Sequence, residues 1–221
     1  VYKRQIPQLA YVMNQYHSNR ILLRDISPEN VLYRVQEQQI AYCGFNNMAV
    51  LSDKATITKA NGYGQHPSFI APEVPKYGYS TCSDYYSLGV TILSMLLGKN
   101  PMQSMKWDEI QKYLATGAVP GINVNHLRNT PYDLYSEEDK VMYLVLGLIL
   151  PNPSERWGYG EIRCWCNGQH IPLTRKGGKI VYQYNEPFVV GNHKCWNYQQ
   201  LTQEIAADAG AWNDTTYIRL D

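Results

Sequence analysis

The sequence predicts a mainly α fold of the α+β class, with an early β-hairpin and a small ββα-like unit at its C-terminal end. Three observations carry that expectation. "TCSDYYSLGVTILSMLLG", Thr81 to Gly98, is apolar nearly all round, as a helix buried on every side must be. "NVLYRVQEQQIAYC", Asn30 to Cys43, sets two short apolar and aromatic runs about a polar turn, the pattern of a hairpin. Beyond Asn167 the texture changes to "KIVYQYNEPFVVGNHKCW" and then "NYQQLTQEIAADAGAW", a second hairpin followed by a helix. Residues 1–167 are therefore read as one domain and 168–221 as an extension, with the boundary falling between Asn167 and Thr174.

The remaining elements follow in order. "QIPQLAYVMNQYHSN" places Ile6, Leu9, Val12, Met13 and Tyr16 at largely helical spacing, with Pro7 expected in the first turn. Residues 46–70 are polar and turn-rich and read as one long surface loop. The central helix stops at Gly98, with Pro101 just beyond it. "MKWDEIQKYLATG" is an amphipathic helix ending at Gly117. Ser136-x-x-Asp139 is a variant capping box that opens the next helix. Its apolar run, Val141 to Leu150, falls short of the ~18 residues that span a bilayer and reads as a core helix. "GYGEIRCWCNG" is a last short helix, ending at Gly168.

Composition narrows the function classes. A net charge of +1 without a long basic run excludes nucleic acid and anionic membrane as principal partners. The 19 Tyr against 3 Phe point to aromatic packing with polar edges. The N-terminus carries no signal-peptide pattern, and an odd count of 5 cysteines at irregular spacing suits a reducing compartment, so a cytoplasmic location is expected. A chain that begins with Val is expected to be a fragment of something longer. Cys164, Cys166, His170, His193 and Cys195 have zinc-type side chains, but C-x-C around a tryptophan is not a knuckle spacing, and ordinary packing is expected.

The chemistry concentrates in "LRDISPEN". Asp25 and Asn30 lie on a loop between a helix and a strand. A carboxylate there can take a proton from a hydroxyl nucleophile, and an amide oxygen can ligate a magnesium ion on a phosphate. The stretch resembles the catalytic loop of the eukaryotic-type (Hanks-type) protein kinases, H-R-D-x-x-x-x-N, with Arg24, Asp25 and Asn30 matching. Leu23 stands in place of the His, and Ser27 stands where serine/threonine kinases carry Lys. Further matches keep the family's order: Ala71-Pro72-Glu73 closing an activation segment; Asp84, Ser87 and Gly89 on the central helix; Arg156 late in the chain. The resemblance spans Ile6 to Cys166 and implies the C-terminal lobe of a protein kinase. It implies a buried Glu73–Arg156 ion pair, hydrogen bonds from the catalytic-loop backbone to Asp84, and a structural part for Arg24.

One departure bears on activity. The D-F-G triplet that should follow the hairpin aligns with Gly44, Phe45 and Asn46, so the aspartate that holds magnesium in the family is lost. Asp53 lies too far along to replace it and lacks the Phe-Gly, and the Cys43 thiolate is a poor match for magnesium. The implied function is a pseudokinase-like binding or regulatory module. The alternatives are an active serine/threonine kinase fragment and a kinase-fold enzyme with a different transfer reaction.

Nothing before Ile6 suits a nucleotide-binding lobe, and "NGYGQHPS" lacks the context of a phosphate loop. ATP and magnesium are therefore expected only if an N-terminal lobe is supplied, by preceding sequence or by a partner chain. A protein partner, such as a kinase, is expected. Among the loop hydroxyls Ser52, Thr56, Thr58, Tyr63 and Ser68, the middle ones are phosphorylation candidates with Arg24 as the receiving cation, against the plainer reading of ordinary loop hydroxyls. The extension resembles that of some bacterial kinase-like proteins, which suggests a bacterial origin. Its Trp196, Tyr198, Trp212 and Tyr217 are expected mostly to pack.

Overall fold

The computed structural model describes residues 2–52, 55–58, 67–115, 118–173, 183–190 and 193–207. The chain divides into two compact units, Val1–Thr174 and Arg175–Asp221. The first unit runs α1 (Tyr2–Ser18), β1 (Ile21–Leu22), β2 (Val31–Arg34), β3 (Gln39–Tyr42), β4 (Ala49–Val50), α2 (Val74–Tyr77), α3 (Thr81–Leu97), α4 (Trp107–Ala115), α5 (Val124–Asn129), α6 (Glu137–Leu148) and α7 (Tyr159–Cys166). The second holds β5 (Gln183–Val190), β6 (His193–Asn197) and α8 (Tyr198–Ala207), with α8 packed on the β5–β6 hairpin.

The core is built around α3, whose residues Ser83 to Ser94 are all buried. Buried hydroxyls are costly without partners, and three on this helix find a carbonyl one turn back: Ser87 on Ser83, Thr91 on Ser87 and Ser94 on Val90. Gly98 ends the helix in the left-handed conformation, φ 67°. α6 opens on the Ser136–Asp139 capping box, in which each side chain serves the other's backbone N–H at 3.0 and 3.1 Å. It packs on α3 at a distance set by Gly89, where a Cβ would lie 2.7 Å from the Ile149 Cγ2 methyl; Gly147 on α6 faces the Trp157 ring instead, which a Cβ there would meet at 2.1 Å.

The described strands form three two-stranded antiparallel ladders, β1–β4, β2–β3 and β5–β6. The β2–β3 hairpin pairs Val31 with Tyr42 through Arg34 with Gln39. In the region read as one loop from 46 to 70, Ala49 and Val50 instead pair with Leu22 and Ile21, and the Leu51 N–H extends the ladder to the Arg20 carbonyl at 2.8 Å. This short ladder lays the segment after Gly44 beside the loop that begins at Leu23.

One helix boundary also differs from expectation. α1 starts at Tyr2, so Pro7 sits past the first turn, where its missing N–H leaves the carbonyl of residue 3 without a helical donor. α5 and α2, too short for a periodic signal, arise where the sequence reads as loop. Gly117, Tyr63, Asp53, Trp212 and Tyr217, and the side chains of Trp196 and Tyr198, lie outside the described residues. No described helix is long and apolar enough to cross a membrane.

Candidate functional site

The site is a loop stretched between α1 and β2. After β1 the backbone turns through Arg24 at φ 62°, a left-handed conformation costing a non-glycine residue about 1 kcal/mol. Asp84, fully buried near the start of α3, holds it there: Oδ2 accepts the Leu23 N–H and Oδ1 the Arg24 N–H, both at 2.9 Å. Oδ2 also takes a hydrogen bond from His17 Nε2 at 2.8 Å. Hydrogen bonds to a charged group contribute roughly 1.5–3 kcal/mol each, so the carboxylate outweighs the strain of the turn. Leu23 and Ile26 are fully buried beneath the loop. Leu23 thus fills the place of a polar residue by packing alone.

Above that anchor, Asp25 and Asn30 converge. The Asn30 side-chain amide donates to the Asp25 carbonyl at 2.8 Å, closing the loop over a 3₁₀ turn at Pro28–Asn30. The Asp25 carboxylate accepts a hydrogen bond from Asn47 Nδ2 at 2.7 Å. The Tyr42 hydroxyl, from the end of β3, lies 2.7 Å from the Asp25 carbonyl and 3.1 Å from that of Gly44. Burial, then the charge of Asp25, pushes the Tyr42 phenol far above its ordinary range, so it stays a neutral donor.

Tyr42 and Asn30 together occupy the volume beside Gly44. A Cβ placed on Gly44 would fall 2.4 Å from the Tyr42 hydroxyl oxygen and 2.8 Å from the Asn30 side-chain amide. A side chain there would have to displace the ends of the Tyr42 and Asn30 side chains. A groove of about 700 Å³ opens on the other side of the loop, lined by Asp25, Ser27, Glu29, Asn30, Lys99 and Asn100 among others. Ser27 is buried at its floor, where its carbonyl accepts the Asn30 N–H at 3.1 Å.

The flanking framework is charged but internally paired. Arg156 forms a two-pronged bridge to Glu73, at 2.5 and 2.8 Å, and donates also to the carbonyls of Leu150, Cys82 and Pro151. The Arg24 guanidinium lies over the Tyr79 ring, 4.7 Å from its centroid, and its Nε is buried without a hydrogen-bond partner. Among the loop hydroxyls, Ser52 and Thr56 are exposed, but Ser68 is buried and accepts from Asn100 at 2.5 Å. Thr58 is bridged to Tyr79 through backbone bonds of 2.8 and 2.9 Å, with its hydroxyl buried. The hydroxyls of Thr58, one of the phosphorylation candidates, and of Ser68 are therefore not presented on the surface in this conformation.

Sequence reasoning missed His17, Tyr42 and Asn47. His17 carries a signal, a polar residue on the inner side of an apolar helix. Tyr42 and Asn47 reach the site only through the hairpin's return and the turn after it, and no local pattern marks them.

Among the described residues no three His, Cys, Asp or Glu side chains gather as a metal site. Comparison with known proteins bears on the rest. A family model for the protein kinase domain matches residues 1–165. The serine/threonine-protein kinase SCH9 of Candida albicans is 31% identical over 154 residues, 68% of this chain and 18% of that protein. SCH9 of Saccharomyces cerevisiae is 30% identical over 158 residues, 71% of this chain and 17% of that protein. A calcium/calmodulin-dependent protein kinase of Metarhizium anisopliae is 25% identical over 172 residues, 75% of this chain and 42% of that protein. The matched stretch thus spans less than half the length of each of these relatives.

Proposed function

The chain belongs to the protein kinase domain family, and from that premise we propose that it serves as a pseudokinase-like binding or regulatory module, with the phosphotransfer site converted to structural use. The observation that supports this reading is the closure at Gly44. Phosphoryl transfer depends on magnesium held between the nucleotide phosphates and protein oxygens. Magnesium demands near-octahedral oxygen ligands at roughly 2.0–2.1 Å. The Tyr42 hydroxyl and the Asn30 amide stand where a ligand from position 44 would have to reach. The Asp25 carboxylate is drawn toward Asn47. These residues do not fit a magnesium ion at position 44.

A partner is part of the same reading. Leu32 (52% exposed), Val35 (74%), Phe45 (54%) and Val50 (75%) present apolar side chains on or near the β2–β3 hairpin and the segment after Gly44. This surface suits a protein partner, either a kinase or a nucleotide-binding lobe supplied from outside these residues. ATP would be held only through such a lobe. One observation keeps an enzymatic reading as the second choice. Asp25 and Asn30 border an open groove of about 700 Å³, as a base and an amide acting on a bound hydroxyl would. That reading is a serine/threonine kinase, or a kinase-fold enzyme with another transfer reaction.

Titration calorimetry of the full-length protein with ATP, in magnesium and again in EDTA, separates the two. The module reading expects no magnesium-dependent binding. Magnesium-dependent binding that Asn30→Ala abolishes would overturn it in favour of an enzyme.

A further inference from the structure

A second cavity, well removed in sequence from the Asp25 loop, lies among α4, α5, α6 and the segment after α7. Its volume is about 500 Å³, within the roughly 300–1,000 Å³ that small-molecule sites occupy. Its walls are apolar, with Leu114, Val119, Leu127, Leu146 and Ile149 contributing, and an aromatic group closes one side. There the Tyr132 and His170 rings stack at 4.6 Å with an interplanar angle of 18°.

Three of the polar groups on that aromatic side, those of Tyr143, His170 and Tyr135, are engaged with the protein. The Tyr143 hydroxyl donates to the Ile171 carbonyl at 2.8 Å. Its 3.1 Å contact with His170 Nε2 is then one in which the imidazole N–H donates. Burial pushes the His170 pKa down, so the ring stays neutral near pH 7. Tyr135 donates to the Leu127 carbonyl.

One charge remains. Arg128 is the sole charged side chain lining the cavity, and its guanidinium has no hydrogen bond or ion pair among the described residues. Two acids of the neighbouring helix are held by other groups, Asp139 by Ser136 and His126 and Glu137 by Lys140. A cation without a counter-charge among the described residues, at the edge of an apolar, aromatic-sided cavity, is the complement of an amphiphilic anion. We propose that this cavity binds a small amphiphilic carboxylate, with its apolar body among the tyrosines and its carboxylate on Arg128.

Titration of the whole chain with octanoate, 1-octanol and octyltrimethylammonium tests this, because the three share a tail and differ in head charge. Octanoate is expected to bind about tenfold more tightly than octanol, the worth of one charge-assisted pair, and octyltrimethylammonium more weakly than either. Arg128→Gln lies at an exposed position and should fold normally. It should bring octanoate to the affinity of octanol and leave octanol unchanged. Arg163→Gln, an exposed arginine on α7 away from the cavity lining, should change neither. No octanoate binding, equal affinity for the three amphiphiles, or an equal loss in Arg163→Gln would each overturn the proposal.

Discussion

At position 44 a carboxylate would compete with the hydroxyl of Tyr42 for the same few cubic ångströms, and the hydroxyl holds them. Restoring the family's residue alone should therefore damage the protein. Gly44→Asp is expected to cost about 1–3 kcal/mol, the usual cost of overpacking, and to lower the melting midpoint without creating magnesium binding. Tyr42→Phe in the same chain, which removes only the obstructing hydroxyl, should recover part of that loss. A double-mutant cycle read by thermal melts would show a coupling above about 0.5 kcal/mol, whereas strict additivity would mean that Tyr42 is not the obstacle. Tyr86 gives a second test. Its hydroxyl is buried without a hydrogen-bond partner, so Tyr86→Phe should raise stability by about 1 kcal/mol in urea melts. Tyr143, pushed up to about 12 chiefly by burial, contributes to the alkaline loss of stability. Its folded pKa lies above the unfolded value of 10.0, so its contribution is whole below pH 10.0 and is lost as pH rises toward 12. Tyr143→Phe should make that alkaline loss shallower. Asp25 and Asn30 are legible in the sequence because they sit in one short motif, and Gly44 because it falls at the next motif in the family's order. Tyr42 and Asn47, which decide what those positions do, meet them only after the chain has folded back.

Among elements, the contacts of α6 with α3 and with the segment before α7 are set by glycine rather than by propensity. Replacing a mid-helix glycine by alanine ordinarily gains about 1 kcal/mol. At Gly147 the new methyl would lie 2.1 Å from the Trp157 ring, and overpacking of about 1–3 kcal/mol should win. Gly147→Ala is thus expected to destabilise in urea titration; a gain would show that Trp157 moves aside freely. The same scale separates what sequence conveys from what it hides. The Ser136–Asp139 cap is legible because both partners lie within one turn. α3 is legible because burial on all sides leaves an unbroken apolar run. The β1–β4 ladder is invisible, because strands of two residues carry no period and their pairing depends on where the intervening hairpin returns. Pro7 misleads about the start of α1 because the helix tolerates one missing donor.

At the scale of the whole first unit, the Arg156 guanidinium ties Glu73 to the carbonyls of Cys82, Leu150 and Pro151, so that one side chain gathers segments from the middle and the end of the domain. Composition and periodicity say nothing about this junction; only the likeness to a family points to it. Glu73→Ala, which strands a buried cation that keeps its carbonyl acceptors, is expected to cost about 3–5 kcal/mol, and an unchanged melting midpoint would count against it. The pair also has a kinetic meaning. Its partners stand 83 residues apart, and a contact that closes so long a loop forms after local helices and hairpins have already assembled. The loss of Glu73 should therefore appear in stopped-flow records mainly as faster unfolding, with the refolding rate little changed. On that account the bridge acts as a latch on the lifetime of the native state, setting how long the domain survives between openings more than how quickly it is made.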